Sequence, residues 1–305
     1  MRKVLIIGSG CAGYTAAIYT ARANLSPLLI SGIETGGQLM LTSDVENYPG
    51  FPEGILGPDL MDKMRAQAER FGTEMWTDYV ETVHFNERPF KVTTANGQTE
   101  TAQTIIIATG ATAKWLGIES EKKLMGKGVS ACAVCDAAFY KGKEVCVVGG
   151  GDTAMEESLV LTKFASKVTL IHRRNEFRAS KIMQERVRKN EKISFVLNSA
   201  VEEVLGKETV EGVRIKNVNN HSTQEIPCSG FFVAIGHQPN TKVFEGQIEL
   251  DQKGYIAADS RTRTNVPGIF ACGDVMDSVY RQAVTAAGTG CMAALEAEKF
   301  LENHE

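Results

Sequence analysis

Two cysteines three residues apart, Cys132 and Cys135, are the side chains of this 305-residue sequence best suited to redox chemistry. Two sulfur atoms at this spacing can close a small disulfide, and nearby backbone N–H groups favour a thiolate. A structural zinc site would need a second cysteine pair or suitably spaced histidines nearby, so no metal is expected. Asp136 follows directly and could exchange a proton with a thiolate, although an aspartate there is as often a helix cap. A redox-active dithiol is the favoured interpretation.

Glycine-rich motifs occur twice, each after a β-branched run that predicts a buried strand. The first motif is Gly8-x-Gly10-x-x-Gly13, and the second begins at Gly149 and ends in Ala154. The first glycine of such a motif permits a tight turn, the second lets the backbone approach a pyrophosphate, and the third lets the helix pack on the strand. The pyrophosphate then binds at the helix N-terminus. Two copies of one plan predict two dinucleotide-binding domains.

The second copy carries a basic segment after its second predicted strand, His172-Arg173-Arg174 with Arg178 beyond. An acidic residue there normally binds the ribose 2′-hydroxyl of NAD, whereas arginines accommodate the 2′-phosphate of NADP. A solvated basic loop would have the same composition, but the position at the end of that strand favours NADPH. The glycine motif and the basic segment place Gly149, Gly151, Asp152, Thr153, Ala154, His172, Arg173, Arg174 and Arg178 in the predicted NADPH site.

The first copy has Ser31-Gly32 where an acidic residue is expected, so other segments must hold its nucleotide. Near the C-terminus a predicted strand runs into Gly273-Asp274. A carboxylate at that strand end can accept hydrogen bonds from a polyol such as the ribityl chain of FAD. This interpretation predicts that the C-terminal segment folds back onto the N-terminal domain. With only one 2′-phosphate signature in the chain, the first copy is left for a different dinucleotide.

These motifs together resemble the low-molecular-weight thioredoxin reductases over essentially the whole chain. The resemblance also rests on Gly37-Gln38-Leu39, Glu46-Asn47-Tyr48-Pro49-Gly50, Ala234-Ile235-Gly236, Gly273-Asp274-Val275 and Tyr280-Arg281-Gln282-Ala283. It implies an α/β fold of two Rossmann-like dinucleotide-binding domains of the three-layer ββα type, one inserted into the other. The residues that it assigns to FAD are Gly8, Ser9, Gly10, Ala12, Gly13, Ser31, Gly32, Gly36, Gly37, Gln38, Leu39, Asn47, Gly273, Asp274, Arg281, Gln282 and Ala283. It adds Ile235 and Gly236 to the NADPH site.

The same resemblance implies how the domains divide the chain. Residues 1–112 and 245–305 would form a discontinuous FAD-binding domain, and residues 113–244 would form the NADPH-binding domain with the cysteine pair. One domain would rotate against the other, which is a gating step. The hinges are expected near 112–115 and 241–246.

The reaction implied by the resemblance takes electrons from NADPH through FAD to the Cys132–Cys135 disulfide and on to oxidised thioredoxin. Cys135 is then the sulfur next to the flavin, Cys132 attacks the partner, and Asp136 supplies the proton. Val134 and Ala137-Ala138 depart from the family pattern and bear on partner preference and on the redox potential of the pair. The alternative is an NADPH-dependent flavoprotein reductase of another thioredoxin-like or peroxiredoxin-system disulfide protein. A reductase of one-electron carriers, or a nucleotide sensor without turnover, has no use for the cysteine pair.

Composition and charge argue against nucleic acid and membranes as partners. Lys and Arg number 33 against 37 Asp and Glu, so the net charge of −4 gives no basic surplus for nucleic acid or a membrane surface. No apolar run approaches the roughly 18 to 20 residues that span a bilayer. The five other cysteines lie alone among small or apolar neighbours, as reduced cytosolic thiols usually do. We therefore expect a cytoplasmic protein, and the family resemblance implies a homodimer.

Overall fold

The computed structural model describes residues 1–42 and 44–304, and its chain divides into two compact units. The first unit is Met1–Thr112 with Gln238–Glu305, and the second is Ala113–His237. The second boundary therefore precedes the position expected from the sequence, between 244 and 245. The physical reason is Phe244, which is fully buried in the first unit and stacks on Phe85 with ring centroids 6.1 Å apart.

The strands and helices alternate along much of the chain. The helices are α1 Cys11–Arg22, α2 Gly57–Arg70, α3 Glu119–Lys123, α4 Ala133–Asp136, α5 Asp152–Leu161, α6 Lys181–Arg188 and α7 Ala283–Glu302. The strands are β1 Arg2–Ile7, β2 Leu28–Ile30, β3 Asp44–Val45, β4 Ile55–Leu56, β5 Glu74–Trp76, β6 Val80–His84, β7 Phe90–Thr94, β8 Thr99–Ile107, β9 Ala111–Ala113, β10 Val129–Ser130, β11 Glu144–Gly149, β12 Lys167–Ile171, β13 Ile193–Val196, β14 Ser199–Leu205, β15 Gly212–Asn217, β16 Thr223–Pro227, β17 Gly230–Ala234, β18 His237–Pro239 and β19 Ile269–Ala271.

The first unit is built on a sheet in the order β5-β2-β1-β8-β7-β6, with β19 also paired to β8. β1, β2, β5, β8 and β19 run parallel, β7 pairs antiparallel with β8, and β6 pairs antiparallel with β7. The central strands read as continuous apolar runs because both faces of the sheet are covered. The β19–β8 pairing joins Ala271 to Ile107, the residue also paired with Ile7 of β1. The predicted return of the C-terminal segment to the N-terminal sheet is confirmed.

Small side chains let α1 and α7 pack closely on one face of this sheet. Ala16 and Ala17 of α1 and Ala293 and Ala297 of α7 are all fully buried in the same core. An alanine added at Gly290 of α7 would place its Cβ 2.3 Å from the Ala12 carbonyl oxygen, so only glycine fits at that contact. No helix within the described residues is long and apolar enough to cross a membrane.

The second unit is built on a parallel sheet in the order β10-β17-β11-β12-β13, with a separate antiparallel sheet β14-β15-β16. Helix α5 follows β11 directly, and Met155 and Leu161 of α5 join the core with Val147 of β11. The unit thus repeats the strand–glycine turn–helix plan of the first unit. The predicted α/β fold with two Rossmann-like units is confirmed.

Candidate active site

Cys132 and Cys135 form a disulfide in the second unit, with their Cα atoms 5.3 Å apart. Strand β10 ends at Ser130, and the short helix α4 begins at Ala133, so the disulfide joins the residue that caps the N-terminus of α4 to the third residue of that helix. The Cys135 N–H donates to Sγ of Cys132 at 3.2 Å. Both cysteines are half-buried. The structure therefore brings together the pair predicted from the sequence, and within the described ranges no cluster of His, Cys, Asp or Glu suited to a metal ion occurs.

Two polar side chains hold the turn that carries the disulfide. The Cys132 N–H donates to the hydroxyl oxygen of Ser130 at 3.0 Å, and the Ala133 N–H donates to a carboxylate oxygen of Glu157 at 2.8 Å. Ser130 is only 8% exposed, and Glu157 comes from α5, the helix after the second glycine motif. The sequence did not single out either residue, because only the packing of α5 against α4 gives Glu157 its partner.

Asp136 lies at the end of α4, half-buried beside the disulfide. Burial raises the pKa of its carboxyl, and a hydrogen bond with the Ser130 hydroxyl acts in the opposite direction. Burial, with Asp136 and Cys228 nearby, raises the pKa of Tyr140 to about 12, so this phenol keeps its proton at neutral pH. A carboxyl with a raised pKa keeps its proton at a pH closer to neutral, and it is therefore better suited to donate that proton to a leaving thiolate.

Apolar side chains are exposed in α4 and in the 3-10 helix Ala137–Tyr140 that follows it. Val134, between the two cysteines, is 58% exposed, and Phe139, a few residues on, is 38% exposed. Apolar side chains exposed next to a reactive group are available to contact another molecule. The disulfide is thus set in a surface suited to a protein substrate.

The first glycine motif has the geometry that a dinucleotide requires. A Cβ at Gly8 would lie 2.2 Å from the Ala108 carbonyl oxygen, and one at Gly13 would lie 1.9 Å from the Gly8 carbonyl oxygen. These two glycines therefore permit the turn and the close packing of α1 on β1. A Cβ at Gly10 would meet no atom within 4 Å. The side of the loop where a pyrophosphate approaches is open, and a larger side chain there would occupy it.

Ser9 ties the first loop to the segments predicted to hold the rest of the nucleotide. Its hydroxyl donates to the Ser31 carbonyl oxygen at 2.9 Å and accepts the Gly36 N–H at 3.0 Å. The hydroxyl of Ser31 donates to the carbonyl oxygen of Gly32 at 2.7 Å, so that side chain serves the loop itself. Gly37 approaches Gly10, since its Cβ would lie 3.4 Å from the Gly10 Cα. Gln38 and Leu39 follow in a short 3-10 helix, Gly37–Leu41.

Three of the residues predicted to bind FAD, Gly273, Asp274 and Gln282, come from the C-terminal part of the first unit. Burial and the neighbouring Asp277 raise the pKa of Asp274 to about 7, although Arg281 acts in the opposite direction. Gln282 precedes α7, which begins at Ala283, and its side-chain oxygen accepts from the Asn47 amide at 3.3 Å. Gly273 also lies close to the first glycine motif, since a Cβ at Gly273 would lie 2.8 Å from the Cβ of Ala12.

In the second glycine motif, as in the first, one glycine permits close packing and another leaves open space. A Cβ at Gly149 would lie 2.3 Å from the Ala234 carbonyl oxygen and 2.6 Å from the Cβ of Ala154. A Cβ at Gly151 would meet nothing within 4 Å, so the open side recurs where α5 begins. Thr153 lies half-buried in the first turn of α5, while Ile235, which is exposed, and Gly236, which is half-buried, follow β17.

The basic loop, residues 172–180, is fixed to the second glycine motif by hydrogen bonds. The Gly150 carbonyl oxygen accepts the Arg178 N–H at 2.7 Å and the Ala179 N–H at 3.1 Å. One carboxylate oxygen of Asp152 accepts from the backbone N–H of Ser180 at 2.8 Å and from its hydroxyl at 2.9 Å. Asp152 therefore binds the basic loop, a role that its place in the motif does not reveal.

The buried side chain of His172 packs between Gly150 and the basic loop. The residue is 6% exposed, and a Cβ at Gly150 would lie 2.2 Å from its ring. Its Nε2 is 3.1 Å from the Glu176 carbonyl oxygen, and its ring centroid is 5.3 Å from that of Phe177. Burial lowers the pKa of His172. A buried, largely neutral imidazole contributes packing here, so the positive charge of the loop comes from its arginines.

Arg173, Arg174 and Arg178 are exposed on the basic loop. Within residues 1–42 and 44–304, none of the three guanidinium groups has a carboxylate within ion-pair distance. Three uncompensated positive charges beside a dinucleotide loop are suited to an anionic group such as a phosphate.

Two dinucleotide-binding units and a surface disulfide define an oxidoreductase that moves electrons between a nucleotide and a dithiol. The model of the pyridine nucleotide-disulphide oxidoreductase family matches residues 2–290. The chain is 59% identical to the thioredoxin reductase of Rickettsia conorii over 303 residues, 98% of each chain. It is 50% identical to the bifunctional thioredoxin reductase/thioredoxin of Mycobacterium leprae over 305 residues, 100% of this chain and 67% of that one. A solved thioredoxin reductase from Giardia duodenalis matches with a TM-score of 0.95 and 45% identity, covering 99% of each chain.

The chain belongs to the pyridine nucleotide-disulphide oxidoreductases and, within them, to the thioredoxin reductases. It is an oxidoreductase and a flavoprotein, and membership of the family implies a flavin and a nicotinamide cofactor. The alternative of a reductase for a different disulfide protein is not favoured, because relatives at 50 to 59% identity carry the same name.

Proposed function

We propose that this chain transfers electrons from NADPH, through FAD, to the Cys132–Cys135 disulfide, and from the resulting dithiol to oxidised thioredoxin. The observation that carries the proposal is a closed disulfide on an apolar surface turn, in the same unit as a glycine loop with a basic segment. The relative that joins a thioredoxin reductase to a thioredoxin in one chain supports this choice of partner.

The residues proposed to hold FAD lie together in the first unit. The open side of Gly10 and the Ser9 contacts to Ser31 and Gly36 suit a pyrophosphate and its ribose. The buried Asp274 is proposed to accept hydrogen bonds from the polyol chain, which would favour its ionised form. When bound, FAD supplies the flavin ring that takes up two electrons and returns them.

The residues proposed to hold NADPH lie in the second unit. Gly151 leaves room for the pyrophosphate at the start of α5. Arg173, Arg174 and Arg178 are proposed to bind the 2′-phosphate, since these exposed guanidinium groups are otherwise uncompensated. Asp152 and His172 keep the basic loop in place beside the glycine motif.

The dithiol is proposed to act by thiol–disulfide exchange. The Cys132 thiolate attacks one sulfur of the thioredoxin disulfide, which forms a mixed disulfide and releases the other thioredoxin sulfur as a thiolate. The Cys135 thiolate then attacks Cys132, which restores the Cys132–Cys135 disulfide and releases the second thioredoxin sulfur. Two electrons pass to thioredoxin, and Asp136 donates a proton to a leaving thiolate. Exposed Val134 and Phe139 provide apolar contacts for the partner.

A homodimer and a cytoplasmic location belong to the same proposal. Val284, Met292 and Leu295 expose apolar groups on α7, a surface suited to a second copy of the chain. Cys146 and Cys272 are fully buried free thiols, as in proteins of reducing compartments. Sedimentation in solution is expected to give a single species of twice the chain mass.

The direct test is oxidation of NADPH by the purified protein in the presence of oxidised thioredoxin. We expect oxidation to depend on thioredoxin and to be much slower with NADH. The nucleotide released on denaturation is expected to be FAD. A protein that oxidises NADPH at the same rate with and without thioredoxin would contradict the proposal.

A further inference from the structure

Residues 278–282 form a loop before α7 whose shape is not held by burial of its own side chains. The loop carries Arg281 and Gln282, two of the residues proposed to bind FAD. Val279 is 69% exposed and Tyr280 is 68% exposed, so these side chains contribute little apolar burial. Arg281 has a left-handed backbone with a φ of 47°, a conformation that is unfavourable for a residue other than glycine. Another group must therefore hold the loop in this shape.

The carboxylate of Asp277 accepts hydrogen bonds from three successive backbone N–H groups of the 278–282 loop. Its Oδ1 accepts from Val279 at 2.8 Å and from Tyr280 at 2.9 Å, and its Oδ2 accepts from Arg281 at 3.3 Å. The backbone of Asp277 is itself held, because its N–H donates to the Gly273 carbonyl oxygen at 3.1 Å. Hydrogen bonds to an ionised acceptor are stronger than those between neutral groups. One side chain thus fixes the loop relative to Gly273.

The backbone of the 278–282 loop in turn positions the side chains of Arg281 and Gln282. The Gln282 amide donates to the carbonyl oxygens of Tyr280 at 3.1 Å and of Arg281 at 3.0 Å, and its oxygen accepts from Asn47. The Arg281 guanidinium donates to the Ser278 carbonyl oxygen. A change in the shape of the loop would therefore displace both residues that are proposed to bind FAD.

We propose that Asp277 is a positioning residue that orders the 278–282 loop and thereby presents Arg281 and Gln282 to FAD. Asp277 acts through the loop backbone and is not itself proposed to touch the nucleotide. The inference rests on the proposed function, in which this loop binds FAD. A loop that is already ordered loses less conformational freedom when its ligand binds, so the order strengthens binding. Asp277 lies between the two sequence motifs of this region and belongs to neither, so their spacing does not reveal it.

The charge of Asp277 acts on FAD binding in the opposite direction to its hydrogen bonds. Burial and, to a smaller extent, the charge of Asp277 raise the pKa of Asp274 to about 7. Loss of Asp277 should therefore favour the ionised Asp274, the form proposed to accept from the polyol chain. FAD also carries a negatively charged pyrophosphate, so loss of a carboxylate favours its binding by charge alone. Charge thus predicts tighter binding without Asp277, whereas the positioning role predicts weaker binding.

The test compares Asp277→Ala, Asp277→Asn and wild type as purified holoproteins. Both variants lose the same charge, but asparagine keeps one side-chain oxygen that can accept from Val279 and Tyr280. The rise in flavin fluorescence over a dilution series measures the FAD released and gives its dissociation constant. We expect Asp277→Ala to weaken FAD binding about tenfold or more, with Asp277→Asn between it and wild type. Equal or tighter binding in Asp277→Ala than in wild type would overturn the proposal, and so would equal binding by the two variants.

Asp259→Ala is the matched control. One carboxylate oxygen of Asp259 accepts the N–H groups of Arg261 at 2.8 Å and of Arg263 at 3.0 Å, around Thr262, whose φ is 65°. This turn has the same kind of carboxylate contact and the same left-handed backbone, but none of its residues is assigned to FAD. FAD release from Asp259→Ala should match wild type. An equal loss of FAD from Asp259→Ala and Asp277→Ala would assign the effect to general loosening of the unit and overturn the proposal.

Hydrogen–deuterium exchange of residues 278–282 is a second measurement that does not depend on the identity of the flavin. The amides of Val279, Tyr280 and Arg281 should exchange faster in Asp277→Ala than in wild type, and unchanged exchange would overturn the proposal. If wild type releases no FAD, the proposed function fails, while this exchange still decides whether Asp277 orders the loop. Should Asp277→Ala not fold, Asp277→Asn serves alone, because charge predicts tighter FAD binding and loss of the Arg281 hydrogen bond predicts weaker binding.

Discussion

A methyl group added at Gly150 should disturb both stability and NADPH binding through His172. The Cβ of Gly150→Ala would lie 2.2 Å from Cε1, 2.4 Å from Nδ1 and 2.7 Å from Nε2 of the imidazole. These separations are far below van der Waals contact, so one of the two groups must move. The imidazole has little freedom, because it is 6% exposed, packs on Phe177 and is 3.1 Å from the Glu176 carbonyl oxygen.

Overpacking of this kind costs about 1 to 3 kcal/mol, and we expect the free energy of unfolding to fall within that range. The carbonyl of Gly150 also holds Arg178 and Ala179, so its displacement should move the basic loop and raise the KM for NADPH. Urea unfolding measures the first effect and steady-state kinetics the second. Removing the ring in the double variant Gly150→Ala/His172→Ala should make the alanine at Gly150 nearly neutral in a double-mutant cycle.

Gly151→Ala is the matched comparison for this prediction. Its Cβ would meet no atom within 4 Å, so stability should stay close to that of wild type. The same methyl group would enter the space assigned to the pyrophosphate, so NADPH binding should weaken strongly. A Gly150→Ala variant as stable as wild type, or a cycle with no coupling to His172, would refute the reasoning.

Replacing the three arginines of the basic loop by alanine should reduce the preference for NADPH over NADH on the order of tenfold or more per arginine, since hydrogen bonds to a phosphate are worth about 1.5 to 3 kcal/mol. Unchanged preference in coenzyme kinetics would remove the 2′-phosphate from this loop. Cys135→Ser should accumulate a stable mixed disulfide between Cys132 and thioredoxin, visible on a non-reducing gel, whereas Cys132→Ser should not; the reverse result would exchange the two roles. In the flavin-free protein the pKa of Asp274 is raised to about 7 from an ordinary value of 3.8, so the folded state binds its proton more tightly and stability should fall as pH rises between those values. Asp274→Asn should flatten that part of the curve of unfolding free energy against pH, and an unchanged slope would contradict the raised pKa.

Sequence patterns predicted those features of the fold and the site that depend on residues close together in the chain. The glycines at 8 and 13 are required by contacts within one strand–turn–helix unit, so their spacing alone predicts the turn. The strand before Gly273-Asp274 was recognised from its apolar run, whereas its pairing with β8 is seen only in the structure. The cysteine spacing is likewise a local property, and the disulfide was predicted from it.

Other features depend on contacts between segments distant in sequence. Glu157 reads as an ordinary helix residue, and its contact with Ala133 exists only because α5 packs against α4. The support of Gly150 by His172 needs the side-by-side register of β11 and β12. The apolar character of Phe244 likewise does not reveal which of two cores it joins, and its burial in the first unit is seen only in the structure.

The most direct test of the account counts thiols on thioredoxin against NADPH consumed, under anaerobic conditions. Wild type is expected to form two thioredoxin thiols for each NADPH oxidised, because the Cys132–Cys135 disulfide passes both electrons on. Cys132→Ser and Cys135→Ser should each form none in repeated turnover while retaining their bound flavin. Continued formation of thioredoxin thiols by either variant at the wild-type rate would contradict the central role of this disulfide.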